Sequence, residues 1–240
     1  MSAPALSVVI PAFNEERRLP GTLRSVVDFL RPRGTPFEVL VVDDGSTDGT
    51  ASVVRAFADS SVHLVEGKVN RGKGHAVRTG MLQAAGLIRL MTDADLSTPM
   101  TDLPRLEQAL DRGFDIAIGS RALAGSNVEV RQGAFREGMG RVFNLGVRLL
   151  LLPDLHDTQC GFKLFTAEAA RAAFSGSRLE GFCFDVEALV VARQQGLRIA
   201  EVPVTWRNDV ATRVGLAKGA QAFADLLRIR WSRTRATDPR

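Results

Sequence analysis

The first half of the chain alternates short apolar runs with segments of helical pattern, and this alternation limits the available folds more than any other feature. Apolar runs occupy residues 6–10, 37–42, 62–65 and 87–91, and Ile116 and Ile118 mark a fifth run. Strand–helix alternation implies right-handed crossovers and a mainly parallel sheet. Runs that are apolar at every position fit strands covered on both faces. We therefore predict an α/β fold with helices on both sides of the sheet.

Beyond residue 121 the pattern is looser. Residues 122–134 read as a loop, 135–152, 185–195 and 219–230 as helices, and 162–165 and 197–202 as strands. A chain of 240 residues can bury a large core without disulfides, so we expect Cys160 and Cys183 to be reduced core residues. We predict one domain over residues 1–233 and a disordered tail over residues 234–240.

The charge pattern bears on location and partners. The net charge is +4, and the basic residues are mostly arginine, which indicates either genomic base composition or phosphate binding. No apolar run approaches the roughly 20 residues of a membrane span, and the N-terminus does not resemble a signal peptide. We expect a cytoplasmic protein without a nucleic-acid partner. Residues 135–152 and 219–235 form basic amphipathic stretches, which lie either on a membrane surface or against the core.

Polar clusters follow four of the predicted strands, after Ile10, Val42, Met91 and Ile118. In α/β sheets, ligands bind beyond the carboxyl ends of the strands. The clusters therefore indicate a binding site at one edge of the sheet.

Asp93 and Asp95 are the strongest metal candidates. If the chain stays extended after the fourth strand, residues i and i+2 point to the same side. Two carboxylates placed together favour a divalent cation such as Mg²⁺, which binds to carboxylates, waters and substrate phosphates. The alternative is a helix cap, because a D-x-D sequence is common in surface loops.

The other clusters are each ambiguous alone. Asp43 and Asp44 suit hydrogen bonds to a base or ribose, or a solvated Asx turn. Asn14 and Glu15 suit a ligand or a helix cap. The glycine-rich turn around Lys73 suits phosphate binding at a helix N-terminus, although it lacks the spacing of a Walker loop and of a dinucleotide fingerprint.

Taken together, these segments resemble the family 2 glycosyltransferases of the GT-A fold, a Rossmann-like nucleotide-binding architecture. The matching segments are SVVIPAFNE (7–15), VVDDGSTDGT (41–50), NRGKGHAVRTG (70–80), TDADLSTP (92–99) and IGSR (118–121). In the second half, DTQCGFKLF (157–165), GFCFDVE (181–187) and EVPVTW (201–206) look like the polyprenyl-phosphate branch of that family. TDADLSTP is most similar to the dolichyl-phosphate β-glucosyltransferases.

The resemblance implies a role for each matching residue. The implied nucleotide-sugar site contains Pro11, Phe13, Asn14, Glu15, Val42, Asp43, Asp44, Lys73, Asp93, Ala94 and Arg121. The implied metal ligands for Mg²⁺ or Mn²⁺ are Asp93 and Asp95. The candidates for holding an acceptor phosphate are Arg131, Arg136, Lys163 and Arg213. The implied catalytic set is Asp93, Asp95, Asp157, Lys163 and Arg213, in which Asp157 orients the acceptor or acts as a base.

The expected activity is inverting transfer of one hexose from UDP-glucose to a polyprenyl or dolichyl phosphate. On this interpretation residues 6–121 bind the nucleotide sugar and residues 122–233 bind the acceptor. A lipid monophosphate has a second pKa of about 6, so its oxygen is already a nucleophile at neutral pH. The alternatives are GDP-mannose as donor, a non-lipid acceptor, a nucleotidyltransferase, and a nucleotide-sugar-binding module without turnover. His75 and His156 are interpreted as structural.

Overall fold

The computed structural model describes residues 4–130, 134–207 and 216–234. The strands are β1 (Leu6–Ala12), β2 (Phe37–Asp43), β3 (Val62–Glu66), β4 (Ile88–Met91), β5 (Ile116–Ser120), β6 (Asn127–Val130), β7 (Lys163–Thr166), β8 (Ile199–Pro203) and β9 (Thr205–Arg207). The helices are α1 (Leu19–Leu30), α2 (Thr50–Ala56), α3 (Lys73–Gln83), α4 (Leu103–Asp111), α5 (Ala134–Leu150), α6 (Ala167–Ser175), α7 (Phe184–Gln194) and α8 (Leu216–Thr234).

A seven-stranded sheet of order β3-β2-β1-β4-β7-β5-β8 organises the molecule. Its neighbouring strands are parallel except that β7 runs antiparallel to both β4 and β5. The short parallel pair β6–β9 forms a second sheet. The connections from β1 and from β4 leave in opposite directions along the sheet, so a crevice opens between these two strands at their carboxyl ends.

The strands are buried on both faces, as their apolar runs predict. Val8 and Ile10 of β1 belong to a core cluster that includes Leu19 of α1. Val9, which points the other way, belongs to a second cluster that includes Val77 of α3. Two cores on opposite sides of one sheet hold the strand ends in fixed positions at the crevice.

Most predicted elements are present, with corrections at particular places. α1 begins only at Leu19, because residues 15–18 form a turn and Pro20 lies in the first helical turn. The predicted loop over residues 122–134 contains β6, whose four residues are too short to show periodicity. α6 was not predicted, although Thr166 caps it by accepting the Ala169 N–H.

Two further observations concern the core and the helices. Cys160 and Cys183 are free and buried, as expected. Within the described ranges, no helix is long and apolar enough to cross a membrane. The tail predicted to be disordered lies outside the described residues from position 235 onward.

Candidate active site

A cleft of about 470 Å³ opens at the carboxyl ends of β1, β2 and β4. Its walls are Pro11, Ala12, Phe13, Glu15, Arg18, Asp44, Asn70, Gly72, Lys73, Ala76, Asp93, Ala94 and Asp95. The polar clusters that follow three separate strands in the sequence therefore meet in one place. The walls also include Arg18, which sequence reasoning did not select and which pairs with Glu15 at 3.1 Å.

Four of the residues expected to bind the nucleotide sugar do not line the cleft: Asn14, Val42, Asp43 and Arg121. Val42 and Asp43 are buried, and Asp43 Oδ1 accepts the Ser46 N–H at 2.9 Å. Asn14 has a left-handed backbone (φ 56°), and its Oδ1 accepts the Thr47 N–H at 2.9 Å. Asn14 and Asp43 thus fasten the loops after β1 and β2 and shape the cleft without lining it.

Asp44 lies at the base of the cleft and holds the start of α3. Its carboxylate accepts the N–H groups of Arg71 at 3.1 Å and Gly72 at 2.6 Å. Gly72 has φ +112°, and a β-carbon there would stand 2.4 Å from the Glu180 carbonyl oxygen, so the turn requires glycine. The Arg71 and Gly72 amides of this turn are therefore already bonded to Asp44. The Lys73 side chain of the same turn lines the cleft.

Lys73 and Asp93 form an ion pair across the cleft. The distance from Lys73 Nζ to Asp93 Oδ1 is 2.5 Å, and the two side chains are 42% and 30% exposed. Burial by itself would raise the pKa of Asp93, but the charge and hydrogen bond of Lys73, together with the charges of Lys163 and Arg121, lower that pKa below its ordinary value. Asp93 is therefore ionised at neutral pH.

The residues present fit a divalent metal ion. Asp93 and Asp95 line the same cleft, and Asp95 Oδ1 accepts the Ser97 N–H at 2.9 Å. Hard divalent cations prefer carboxylate oxygens as ligands. Proteins typically hold Mg²⁺ with one or two carboxylates, and phosphate oxygens of the substrate complete its coordination. Within the described part of the chain, no group of three or more His, Cys, Asp or Glu could hold a metal by itself. The donor set therefore suits a metal ion that shares its coordination with a diphosphate.

Arg121 and Asp157 form a second ion pair. Arg121 Nε and Nη2 donate to Asp157 at 2.6 Å and 2.9 Å, and the Arg121 guanidinium lies 5.2 Å from the Trp206 ring centre. Burial alone would raise the pKa of Asp157, but Arg121 lowers it overall. Asp157 is 1% exposed, so in this arrangement it orients Arg121. The expectation that Asp157 orients the acceptor or acts as a base stays a prediction.

Lys163 lies below the cleft. It is the first residue of β7, is 1% exposed, and its Nζ donates to the Cys160 carbonyl at 2.5 Å and to Asp185 Oδ2 at 3.4 Å. Burial raises the pKa of Asp185 against the opposing charge of Lys163. In this arrangement Lys163 holds the Cys160 carbonyl and Asp185 together. A contact between this buried side chain and an acceptor phosphate would require a rearrangement, and the expected contact stays a prediction.

Sequence reasoning missed Gln159, Gly161 and Asp185. Gln159 Nε2 donates to Asp185 Oδ1 at 2.7 Å, which ties the 157–163 segment to α7. All three residues stand in the motifs at 157–165 and 181–187, and that position is the signal that could have found them. Arg131 and Arg213 lie outside the described residues, and the side chain of Arg136 in α5 is also outside them.

The model of Glycosyl transferase family 2 matches residues 7–174. The chain belongs to this family. It is 36% identical over 241 residues to a dolichyl-phosphate beta-glucosyltransferase of Dictyostelium discoideum, covering 94% of this chain and 74% of the relative. It is 37% identical over 241 residues to the human protein of the same name, with the same coverage of 94% and 74%.

The fold agrees with that of a solved structure. Glucosyl-3-phosphoglycerate synthase from Mycobacterium tuberculosis, in complex with Mn²⁺ and uridine-diphosphate-glucose, superimposes with a TM-score of 0.71. The alignment covers 95% of this chain and 79% of the synthase at 24% identity. The predicted GT-A fold is confirmed, and the family 2 protein described here is a glycosyltransferase.

Proposed function

We propose that this glycosyltransferase transfers one glucose, with inversion, from UDP-glucose to a dolichyl or other polyprenyl phosphate. The observation that carries the proposal is the meeting of Asp44, Lys73, Asp93 and Asp95 in one cleft. The names of the relatives, dolichyl-phosphate beta-glucosyltransferase, support glucose as the sugar and a lipid phosphate as the acceptor.

The cleft offers separate contacts for the parts of a nucleotide sugar. Phe13 is 43% exposed at the cleft and provides a flat apolar face for a base. Both oxygens of Asp44 accept backbone N–H groups, yet a carboxylate has about four acceptor sites, so it retains capacity for a base or ribose donor. Lys73 supplies a positive charge for the diphosphate.

Asp93 and Asp95 would hold a Mg²⁺ or Mn²⁺ ion. When bound, such an ion stabilises the negative charge that develops on the diphosphate leaving group. The chain contributes by keeping Asp93 ionised and by fixing its position between β4 and the 157–163 segment. Arg121, which is oriented by Asp157, adds positive charge on the acceptor side.

The acceptor side requires positive charge and not a strong base. A lipid monophosphate is largely a dianion at neutral pH, and it must approach a donor that is also anionic. Arg121 remains 27% exposed while paired with Asp157, so it keeps a face from which it can attract a phosphate group. We propose that residues 6–121 bind the donor and that residues 122–233 bind the acceptor.

We further propose that the protein works in the cytoplasm with α5 and α8 against an anionic membrane surface. The two helices pack through Phe143 and Phe223, whose ring centres are 5.6 Å apart. Leu145 and Leu149 project from α5 with exposures of 53% and 75%, and Leu227 projects from α8 with an exposure of 61%. Arg148 and Arg228, which precede Leu149 and follow Leu227 in the chain, are also exposed. Apolar side chains flanked by arginine suit an interface with anionic lipids.

Flotation with vesicles tests this surface. We expect the protein to float with vesicles of phosphatidylcholine and phosphatidylglycerol, and not with phosphatidylcholine alone. The double variant Leu145→Glu, Leu149→Glu should lose this binding, whereas Leu87→Glu, at a site that is 67% exposed elsewhere, should retain it. Equal flotation of all three proteins would contradict the proposal that this surface binds to membranes.

The activity is tested with UDP-glucose and GDP-mannose, each supplied with a short polyprenyl phosphate and Mn²⁺, and products identified by mass. We expect a glucosyl lipid phosphate from UDP-glucose and no product with the matching polyprenol. Asp95→Asn should form at least about 100-fold less of this product.

Other products would select an alternative function. Mannosyl lipid formed faster than glucosyl lipid would assign GDP-mannose as the donor. Transfer to a glycan, protein or small molecule in the absence of lipid phosphate would replace the acceptor. Release of pyrophosphate in place of a nucleoside diphosphate would indicate a nucleotidyltransferase.

A further inference from the structure

The ion pair between Lys73 and Asp93 places an ammonium group on a carboxylate that a metal ion would use. We propose that Lys73 occupies Asp93 in the free enzyme and must move to the donor diphosphate before a divalent metal ion binds, so that donor and metal bind cooperatively. This inference rests on the proposed function, because it requires a diphosphate donor. It adds an order of events that the donor set alone does not imply.

The Asp93 carboxylate cannot avoid Lys73 by retreating. A β-carbon at Gly161 would stand 2.1 Å from Asp93 Oδ2 and 2.9 Å from Oδ1. The backbone of the 157–163 segment is therefore packed closely against the carboxylate. A divalent ion and the ammonium group therefore compete for the same fixed oxygens. Two positive charges held that close together would repel each other strongly.

The other cations that act on Asp93 are committed elsewhere. Lys163 and Arg121 both lower the pKa of Asp93. Lys163, however, bonds to the Cys160 carbonyl and Asp185 in the interior, and Arg121 is held by Asp157. Lys73 is half-exposed, and its long side chain borders the open cleft. It is the member of this group that can change partners without breaking the core.

The negative charge of the incoming diphosphate attracts Lys73 away from Asp93. The diphosphate of a nucleotide sugar carries a negative charge on each of its phosphate groups, whereas a carboxylate carries a single one, and a lysine ammonium binds to phosphate as a point charge from many directions. Transfer of Lys73 from Asp93 to the diphosphate frees the Asp93 oxygens at the moment when phosphate oxygens arrive to complete the coordination of a metal ion. Such coupling is reciprocal, so the metal must also strengthen nucleotide binding.

Manganese binding measures the proposal directly. Free Mn²⁺ is followed by electron paramagnetic resonance in titrations of the wild type, Lys73→Met and Lys68→Met, each without nucleotide and with saturating UDP or GDP. Lys68 is an exposed lysine of the same loop and controls for the loss of one positive charge. Circular dichroism confirms that each variant is folded.

The proposal predicts an effect of Lys73→Met that is present without nucleotide and absent with it. Without nucleotide, Lys73→Met should bind Mn²⁺ about three- to tenfold more tightly than the wild type, as removal of a competing ion pair allows. With saturating nucleotide, the variant and the wild type should bind Mn²⁺ about equally, because Lys73 has already left Asp93 in the wild type. Lys68→Met should match the wild type in both conditions.

The remaining outcomes separate the two proposals. If the wild type shows nucleotide-dependent Mn²⁺ binding but Lys73→Met binds no more tightly without nucleotide, the role of Lys73 is wrong and the donor site stands. Tighter binding by Lys73→Met in both conditions would show a simple charge effect and would also overturn the exchange. If no protein binds Mn²⁺ even with UDP or GDP, both the proposed function and this inference fail.

Discussion

Gly161 lies directly against the carboxylate of Asp93, although 67 residues of chain lie between these two residues. A β-carbon at position 161 would stand 2.1 Å from Asp93 Oδ2, a distance that no folded protein tolerates without a shift. The close approach exists because β7 inserts next to β4 in the sheet. The Asp93 carboxylate is therefore held in contact with the 157–163 segment.

Substitution of Gly161 by alanine should disturb Asp93 without touching substrate. The added methyl group must displace the carboxylate or the 157–163 backbone, so we expect Mn²⁺ affinity in the presence of nucleotide to fall by about 10- to 100-fold, the usual cost of disturbing a metal ligand's support. Gly181→Ala is the control, since a β-carbon there meets nothing within 4 Å. Equal Mn²⁺ affinity of the two variants would show that Asp93 does not bind the metal.

Replacement of Asp95 by asparagine should remove a charged metal ligand. We expect turnover with a divalent cation to fall by about 100-fold or more, because several kcal/mol of leaving-group stabilisation depend on the cation. The measurement is steady-state sugar transfer across a Mn²⁺ titration. Asp111→Asn, an exposed acid at the end of α4, should behave as the wild type. Full activity of Asp95→Asn in a chelator would refute metal dependence.

Loss of the Asp44 carboxylate should weaken nucleotide binding by about 1–3 kcal/mol, since charge-assisted hydrogen bonds are lost and buried partners are left unpaired. The structure adds that the Arg71 and Gly72 amides would lose their acceptor. Hydrogen exchange in Asp44→Ala should therefore accelerate at these two amides. Calorimetry with UDP and GDP gives the affinity, and exposed Asp28→Ala is the control. Unchanged nucleotide affinity would show that the base and ribose bind elsewhere.

The Lys163–Asp185 pair should behave as a buried salt bridge and not as a lipid contact. Lys163→Met leaves the Asp185 carboxylate buried without its cation, which typically costs about 3–5 kcal/mol of unfolding free energy. Adding Asp185→Asn should recover much of that loss, because the second change removes the stranded charge. Urea denaturation of the four proteins of this cycle measures the coupling. Full stability of Lys163→Met would mean that the pair is not buried in solution.

The Arg121–Asp157 pair predicts a stability loss in acid. The pKa of Asp157 is lowered from its ordinary 3.8, so the unfolded chain takes up the proton at a higher pH than the folded protein. The stabilisation by this carboxylate is therefore complete above 3.8 and disappears as the pH falls through the lower folded pKa. The difference in unfolding free energy between the wild type and Asp157→Asn should shrink between about pH 5 and pH 2. A difference independent of pH would refute the ion pair.

The sequence by itself determined the α/β class and the positions of Asp44, Asp93 and Asp95 at strand ends. Both follow from local patterns, because apolar runs dictate strands and parallel strands end at the same edge of a sheet. The motif resemblance also identified the family correctly.

Only the tertiary structure decided the partners of those residues. It paired Asp44 with the Arg71 and Gly72 amides, Lys73 with Asp93, and Lys163 with Asp185. These contacts join segments that are separated in the chain, and the Lys163–Asp185 contact depends on β7 lying antiparallel between β4 and β5. Residue type and spacing carry no record of that insertion, because the free energy of a buried ion pair depends on which charges the packed elements bring within a few ångströms of each other.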